Sequence, residues 1–168
     1  MKKHLKGKQI AEYGLLVALA MVLSYLEALI PFSFAVPGVK LGLANIVVVF
    51  ALYKLGAAEA LGISVIRVLL MTFMFGNAFA LFYSLSGAVL SFAIMLLLLK
   101  TGRFSSIGVG IGGGVAHNIG QILCAMLLLG TKQLIYYLPV LFISGTLAGI
   151  AIGVISGILT QRIKGKKA

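Results

Sequence analysis

The sequence predicts an all-α polytopic membrane protein with six transmembrane helices and both termini in the cytoplasm. Three observations lead there. The chain is 61% hydrophobic and only 10% charged, with a mean hydropathy of +1.16, whereas soluble domains are about 45–50% apolar and about 25% charged. Its apolar residues fall into runs close to the ~20 residues that a helix needs to cross a bilayer. Its basic residues fall into the gaps between those runs and at the ends. No stretch is polar enough for a second domain, so residues 1–168 read as a single membrane domain with basic ends at residues 1–10 and 161–168.

Each span has its own signal. The basic Met1–Lys8 segment is like the start of a signal peptide, but no small-residue cleavage site follows the apolar run, so Ala11–Ile30 reads as an uncleaved first span. The second, Gly42–Leu55, is short, which implies a tilt or an extension into the preceding loop. The third, Ala57–Phe75, is divided from it only by Lys54-Leu55-Gly56, and the fourth, Ala78–Leu99, follows the equally weak divider Gly76-Asn77. The fifth covers Ile107–Leu129. The sixth, Leu134–Thr160, opens on Tyr136 and Tyr137, an aromatic belt at the outer interface.

Charge decides against merging spans. With the N-terminus inside, Lys2, Lys3, Lys6, Lys8, Lys54, Lys100, Arg103, Arg162, Lys164, Lys166 and Lys167 all lie in the cytoplasm, eleven of the 14 basic residues. Only Lys40 and Lys132 lie outside, and Arg67 lies within the third span. Cytoplasmic loops of membrane proteins carry this excess. The same distribution removes nucleic acid as a partner despite a net charge of +11, because no folded basic face carries the charge. The terminal clusters instead face the anionic headgroups of the bilayer. The single cysteine, Cys124, excludes an intrachain disulfide and a multi-cysteine metal site. It reads as a small apolar filler.

Glycine marks packing. Gly145, Gly149, Gly153 and Gly157 recur every four residues on one face of the last span, which lets helix backbones approach closely in lipid. Their neighbour is either a helix of the same chain or a partner subunit. Gly14 and Ala18 form a shorter small-xxx-small pair in the first span. Gly108, Gly110 and Gly113 satisfy a GxGxxG pattern, but no strand precedes them and no acid follows, since the last acidic residue is Glu59. A dinucleotide site needs both, so this run reads as close packing or an interruption at the start of span five.

The polar residues collect toward the outer leaflet. Arg67 is the most informative, since a charge at the bilayer centre costs about 2.5–3.5 kcal/mol by insertion scales and the chain has only three acids. Glu27 lies near the outer end of span one, Lys40 in the first outer loop, Asn45 at the start of span two and Asn77 at the turn between spans three and four. His117, Asn118 and Gln121 lie at or beyond mid-depth in span five, and His117 and Gln121 share a face. Together they describe a pocket of cationic character that suits an anionic or polar organic solute, since arginine grips carboxylate or phosphate bidentately. The structural alternatives are an ion pair between Arg67 and Glu27 or Glu59, interhelical hydrogen bonds for His117 and Asn118, and a solvated loop position for Lys40. Enzyme chemistry is not expected. No acidic cluster exists to hold magnesium, no cofactor or metal motif is present, and no serine nucleophile stands out.

The segment Leu29-Ile30-Pro31-Phe32-Ser33-Phe34-Ala35-Val36-Pro37-Gly38-Val39-Lys40-Leu41-Gly42-Leu43-Ala44-Asn45-Ile46-Val47, with Ala116-His117-Asn118-Ile119-Gly120-Gln121, resembles the small membrane proteins called Gx transporters, also known as heptaprenyl diphosphate synthase component I. The resemblance covers nearly the whole chain. That family is similar in turn to the S components of energy-coupling factor (ECF) transporters. It implies six helices, both termini inside, and substrate bound from outside beneath the first outer loop. It also implies a first helix whose small residues dock on a transmembrane T component that works with an ATPase pair. Gly14 and Ala18 match that docking pattern, whereas Val22 departs from it. The catalytic subunit of such synthases is soluble and carries Asp-rich motifs, and this chain has no aspartate.

The resulting expectation is a substrate-binding or transport subunit of the plasma membrane. Its solute would be vitamin-like or cofactor-like, such as a flavin, or an isoprenoid or quinone precursor. The alternative is a non-catalytic membrane accessory of prenyl diphosphate or quinone biosynthesis, working with a soluble prenyl synthase subunit.

Overall fold

The computed structural model describes residues 7–29 and 42–163, and every regular element within them is helical. Lys40, with the rest of residues 30–41, and the basic residues 1–6 and 164–168 lie outside the described residues. The elements are α1 (Gly7–Leu29), α2 (Asn45–Lys54), α3 (Ala57–Phe75), α4 (Ala78–Lys100), α5 (Ser106–Leu129), a 3₁₀ segment (Lys132–Tyr137) and α6 (Leu138–Arg162). All except α2 are long and apolar enough to cross a membrane, the last counted with its 3₁₀ segment. The chain is a multi-pass membrane protein.

Local chemistry sets the helix ends. The Asn77 side chain accepts from Ala80 N at 2.8 Å and caps α4. The Ser105 hydroxyl accepts from Gly108 N at the start of α5. Gly130, at φ +63°, ends α5 in the left-handed conformation that a side chain disfavours. Pro139 sits in the first turn of α6, where its missing N–H has no helical partner to lose. The sixth span was expected to be one helix from Leu134. Its first turns are instead a 3₁₀ segment packed on α5 and α6.

The second span departs most from expectation. The apolar run begins at Gly42, yet the helix begins at Asn45 and has only 10 residues. At 1.5 Å per residue it is about 15 Å long, half of a hydrocarbon core of about 30 Å. It is apolar on all sides, and such a helix must be surrounded. Every residue from Asn45 to Leu52 is buried, and α2 touches α1, α3, α5 and α6. The long helices follow one another around it: α1 on α3, α3 on α4, α4 on α5 and α5 on α6.

Contact register gives each helix its direction. Tyr13 lies within electrostatic reach of Glu59 and Ser24 meets Arg67 further along both helices, so α1 and α3 run parallel. Gly114 faces Gly145 while Ile107 faces Gly153, so α5 and α6 run antiparallel. Ser91 donates to the Gly113 carbonyl at 2.8 Å while Gly87 faces Gln121, so α4 and α5 are antiparallel as well. This alternation agrees with the topology that the basic residues set.

The glycine stripe of α6 lies against α5 of the same chain. A Cβ on Gly149 would stand 2.5 Å from the Gly110 carbonyl oxygen and 2.5 Å from Ile111 Cα. One on Gly153 would stand 2.5 Å from Ile107 Cα, and one on Gly157 2.5 Å from Ser106 Oγ. Gly110 and Gly114 answer from α5, each against backbone of α6. The glycine run that mimicked a nucleotide motif therefore serves packing on two sides: Gly110 and Gly114 against α6 backbone, Gly112 and Gly113 against side chains of α4. Gly14 and Ala18, by contrast, lie on the exposed face of α1, and nothing stands within 4 Å of a Cβ on Gly14.

The two glycine environments differ measurably. Gly149→Ala forces α5 and α6 apart and is expected to lower stability by about 1–3 kcal/mol, as overpacking does. Gly14→Ala gains helix propensity without a clash and should be neutral or stabilising by up to about 1 kcal/mol. Thermal unfolding of the two variants in detergent checks the contrast.

Candidate functional site

The N–H groups at a helix start have no partner within the helix. At the entry to α2, two partly buried N–H groups are served by Glu27 of α1. Its Oε1 accepts from Gly42 N at 2.7 Å and its Oε2 from Leu43 N at 3.1 Å. Gly42, at φ +68°, turns the backbone so that these two adjacent N–H groups converge on one carboxylate. The positive end of the α2 dipole favours the same negative charge. Asn45 opens the helix, is 6% exposed, and bonds back to the Gly42 carbonyl through its own N–H.

Arg67 lies on the stripe of α3 formed by Ala60, Ile63, Ser64 and Val68, all buried, so the helix turns it toward the interior of the bundle. Its Nη1 donates to Ser24 Oγ of α1 at 3.1 Å, and its buried Nε has no partner. Among the described residues no carboxylate pairs with it. Glu59 sits two helical turns away in the first turn of α3. Glu27, one turn beyond Ser24, is close enough for its charge to act on Arg67 but spends both oxygens on the start of α2. In place of the ion pair that stood as the structural alternative, each charged group bonds to neutral partners: the carboxylate to backbone amides, the guanidinium to a hydroxyl.

A second polar group lies where α4 meets α5. Gly113 and Gly120 of α5 face α4, whereas Gly110, Gly114 and Asn118 face α6. His117 and Gln121, one turn apart on α5, both lie against Gly87 of α4. Both are buried, and Gln121 is only 1% exposed. Gly87 of α4 makes room for them, since a Cβ there would stand 2.7 Å from Gln121 Cγ and 3.0 Å from His117 Cε1. The Gln121 amide has no hydrogen-bond partner at either its oxygen or its nitrogen.

Other candidate residues serve the frame. Asn118 donates to the Leu141 carbonyl at 2.8 Å and reaches Ser144 Oγ at 3.4 Å, tying α5 to α6. Asn77 caps α4 in an exposed position at the outer turn. Lys40 lies outside the described residues. The structure therefore joins Glu27, Arg67 and the start of α2 through α1, and groups His117 with Gln121 on α5. Sequence reading missed two residues. Ser24 had a weak signal as a hydroxyl one turn before Glu27. Gly87 had none, because a lone glycine does not reveal which side chain fills its gap.

Charge on Glu27 matters to this arrangement. Hydrogen bonds to a charged group contribute about 1.5–3 kcal/mol and those between neutral groups about 0.5–1.5. Glu27→Gln keeps the shape and removes the charge, so it should lower stability by about 1–2 kcal/mol. Thermal unfolding in detergent at neutral pH reads this, and an unchanged midpoint would mean that α2 is held by its packing alone.

These helices have a family. A family model described as heptaprenyl diphosphate synthase component I matches residues 16–159. That range takes in most of α1 and α6 and everything between them, including Ser24, Glu27, Arg67, His117 and Gln121. No curated protein sequence and no solved structure matches the chain. With most of its length matched, this chain belongs to the heptaprenyl diphosphate synthase component I family.

Proposed function

We propose that this chain is the solute-binding subunit of an uptake system in the plasma membrane, and that it holds a small organic solute with an anionic group in the outer half of its bundle. One observation carries the reading. A single carboxylate stands near two positive partners and bonds only to the α2 amides, which leaves the Arg67 guanidinium with a neutral hydroxyl and a buried, unpartnered Nε. Holding an unpaired buried cation costs several kcal/mol. A solute carboxylate or phosphate would offset that cost through the bidentate geometry that arginine favours. Lys40 and Asn45 are further candidates for contact.

The solute class that fits is vitamin-like or cofactor-like, such as a flavin, or an isoprenoid or quinone precursor. Uptake by such a subunit would draw on a T component and an ATPase pair, and the exposed Gly14 and Ala18 face of α1 is where a T component would dock. The chain acts without catalysis of its own, as the absence of any aspartate suggests for prenyl transfer chemistry. The family description favours a second reading, in which the chain is a membrane accessory of a soluble prenyl synthase subunit. Co-purification separates the two: ATPase and T subunits support uptake, a soluble synthase supports the accessory role.

Native mass spectrometry of the purified full chain tests the site itself. Wild type is expected to retain a small molecule, and Arg67→Gln to lose it with an affinity drop of at least about tenfold, equivalent to about 1.4 kcal/mol. Equal retention by Arg67→Gln would return Arg67 to a purely structural role beside Ser24.

A further inference from the structure

We propose that the ligand of this bundle carries a second recognition element, a neutral edge that both donates and accepts hydrogen bonds, as in a carboxamide, lactam or imide, and that Gln121 reads it. The inference rests on the reading of the bundle as a solute site and adds the class of solute. Its basis is independent of Arg67. A primary amide offers an acceptor and two donors, and Gln121 leaves oxygen and nitrogen alike without partners while its residue is 1% exposed. Each unmet buried group costs about 1–3 kcal/mol, and folded proteins seldom leave one unpaired.

Conformational slack does not account for it. Gly120 packs on the Ser86 carbonyl and Gly87 Cα, so α4 and α5 are in close backbone contact here. The Gln121 stem lies against Gly87, which fixes where the amide can reach. An apolar side chain of the same length would fill this place without the polar cost. His117, one turn earlier on α5, lies against the same glycine. A group with one donor beside one acceptor satisfies both ends of the amide at once, as two amides satisfy each other. A purely anionic ligand offers acceptors only and leaves the Gln121 oxygen unmet. A site built to hydrogen-bond in this way discriminates strongly against analogues that lack the complementary groups.

The experiment uses the full-length chain in detergent and follows its unfolding midpoint. Orotate carries a carboxylate and an imide edge, benzoate a carboxylate alone, and uracil the edge alone. Without any probe, Gln121→Met is expected to unfold at a higher temperature than wild type, because it removes the unmet amide. Orotate should bind wild type about tenfold more tightly than benzoate does, and uracil should also raise the midpoint. Both the orotate advantage and the uracil shift should vanish in Gln121→Met, while the benzoate shift persists there and is lost in Arg67→Gln. A lower midpoint for Gln121→Met without probe would make Gln121 a structural residue and overturn the proposal. Equal shifts with orotate and benzoate would overturn it too, and if those shifts still required Arg67 the anion-binding reading would stand. No shift with any of the three probes would overturn it as well.

Discussion

Backbone amides that lead into a helix enclosed by other helices need a partner from the protein, and this requirement organises the first half of the bundle. Because α2 is short and enclosed by α1, α3, α5 and α6, the backbone that leads into it is partly buried against protein. Glu27 meets two of them. That choice removes the carboxylate from Arg67, which takes Ser24 instead and keeps an unpartnered Nε. The demand of one helix start thus decides which partner the Arg67 guanidinium is left with.

The two halves of the molecule are held by different physics. Helices α5 and α6 meet through glycines, with backbone against backbone and Asn118 as a cross-strap. Dispersion over a long seam stabilises that pair, as it does many membrane helix contacts. Helix α1 has no such seam. It rests on α3 and α2 and leaves much of its surface open, with Leu15 69% exposed. Its specific ties are Ser24 to Arg67, Glu27 to the start of α2, and the ring contact of Tyr25 with Phe75 at 5.5 Å. The tight pair carries Gln121 on α5, and the loose helix carries Glu27.

Hydropathy made the architecture legible because it measures what the bilayer selects. Apolar runs and basic gaps located every helix, with ends shifted by a few residues. The start of α2 was misplaced because Gly42 and Leu43 are apolar, while their amides bond to Glu27 and not to a helix; a backbone contact leaves no mark on hydropathy. The glycine spacing of α6 revealed a face but not its neighbour, which is α5 itself. In the site, Arg67 was legible from its cost in lipid. The partner of Glu27 was not, since it bonds to backbone amides that any residue type would supply, and sequence left open whether it pairs with Arg67. Asn118 and Gln121, three residues apart on α5, looked alike in sequence. Rotation about the helix separates them, one tied to α6 and the other packed on Gly87 of α4.

The tie between Glu27 and α2 also bears on how the chain enters the membrane. Helix α1 alone would carry a carboxylate into lipid. Helix α2 alone would bring bare amides, and α3 alone a guanidinium. Each liability is met by a group from one of the other two, so the three helices are far less costly in the bilayer together than in sequence. The polar groups of the N-terminal half therefore meet their partners only when α1, α2 and α3 are assembled together.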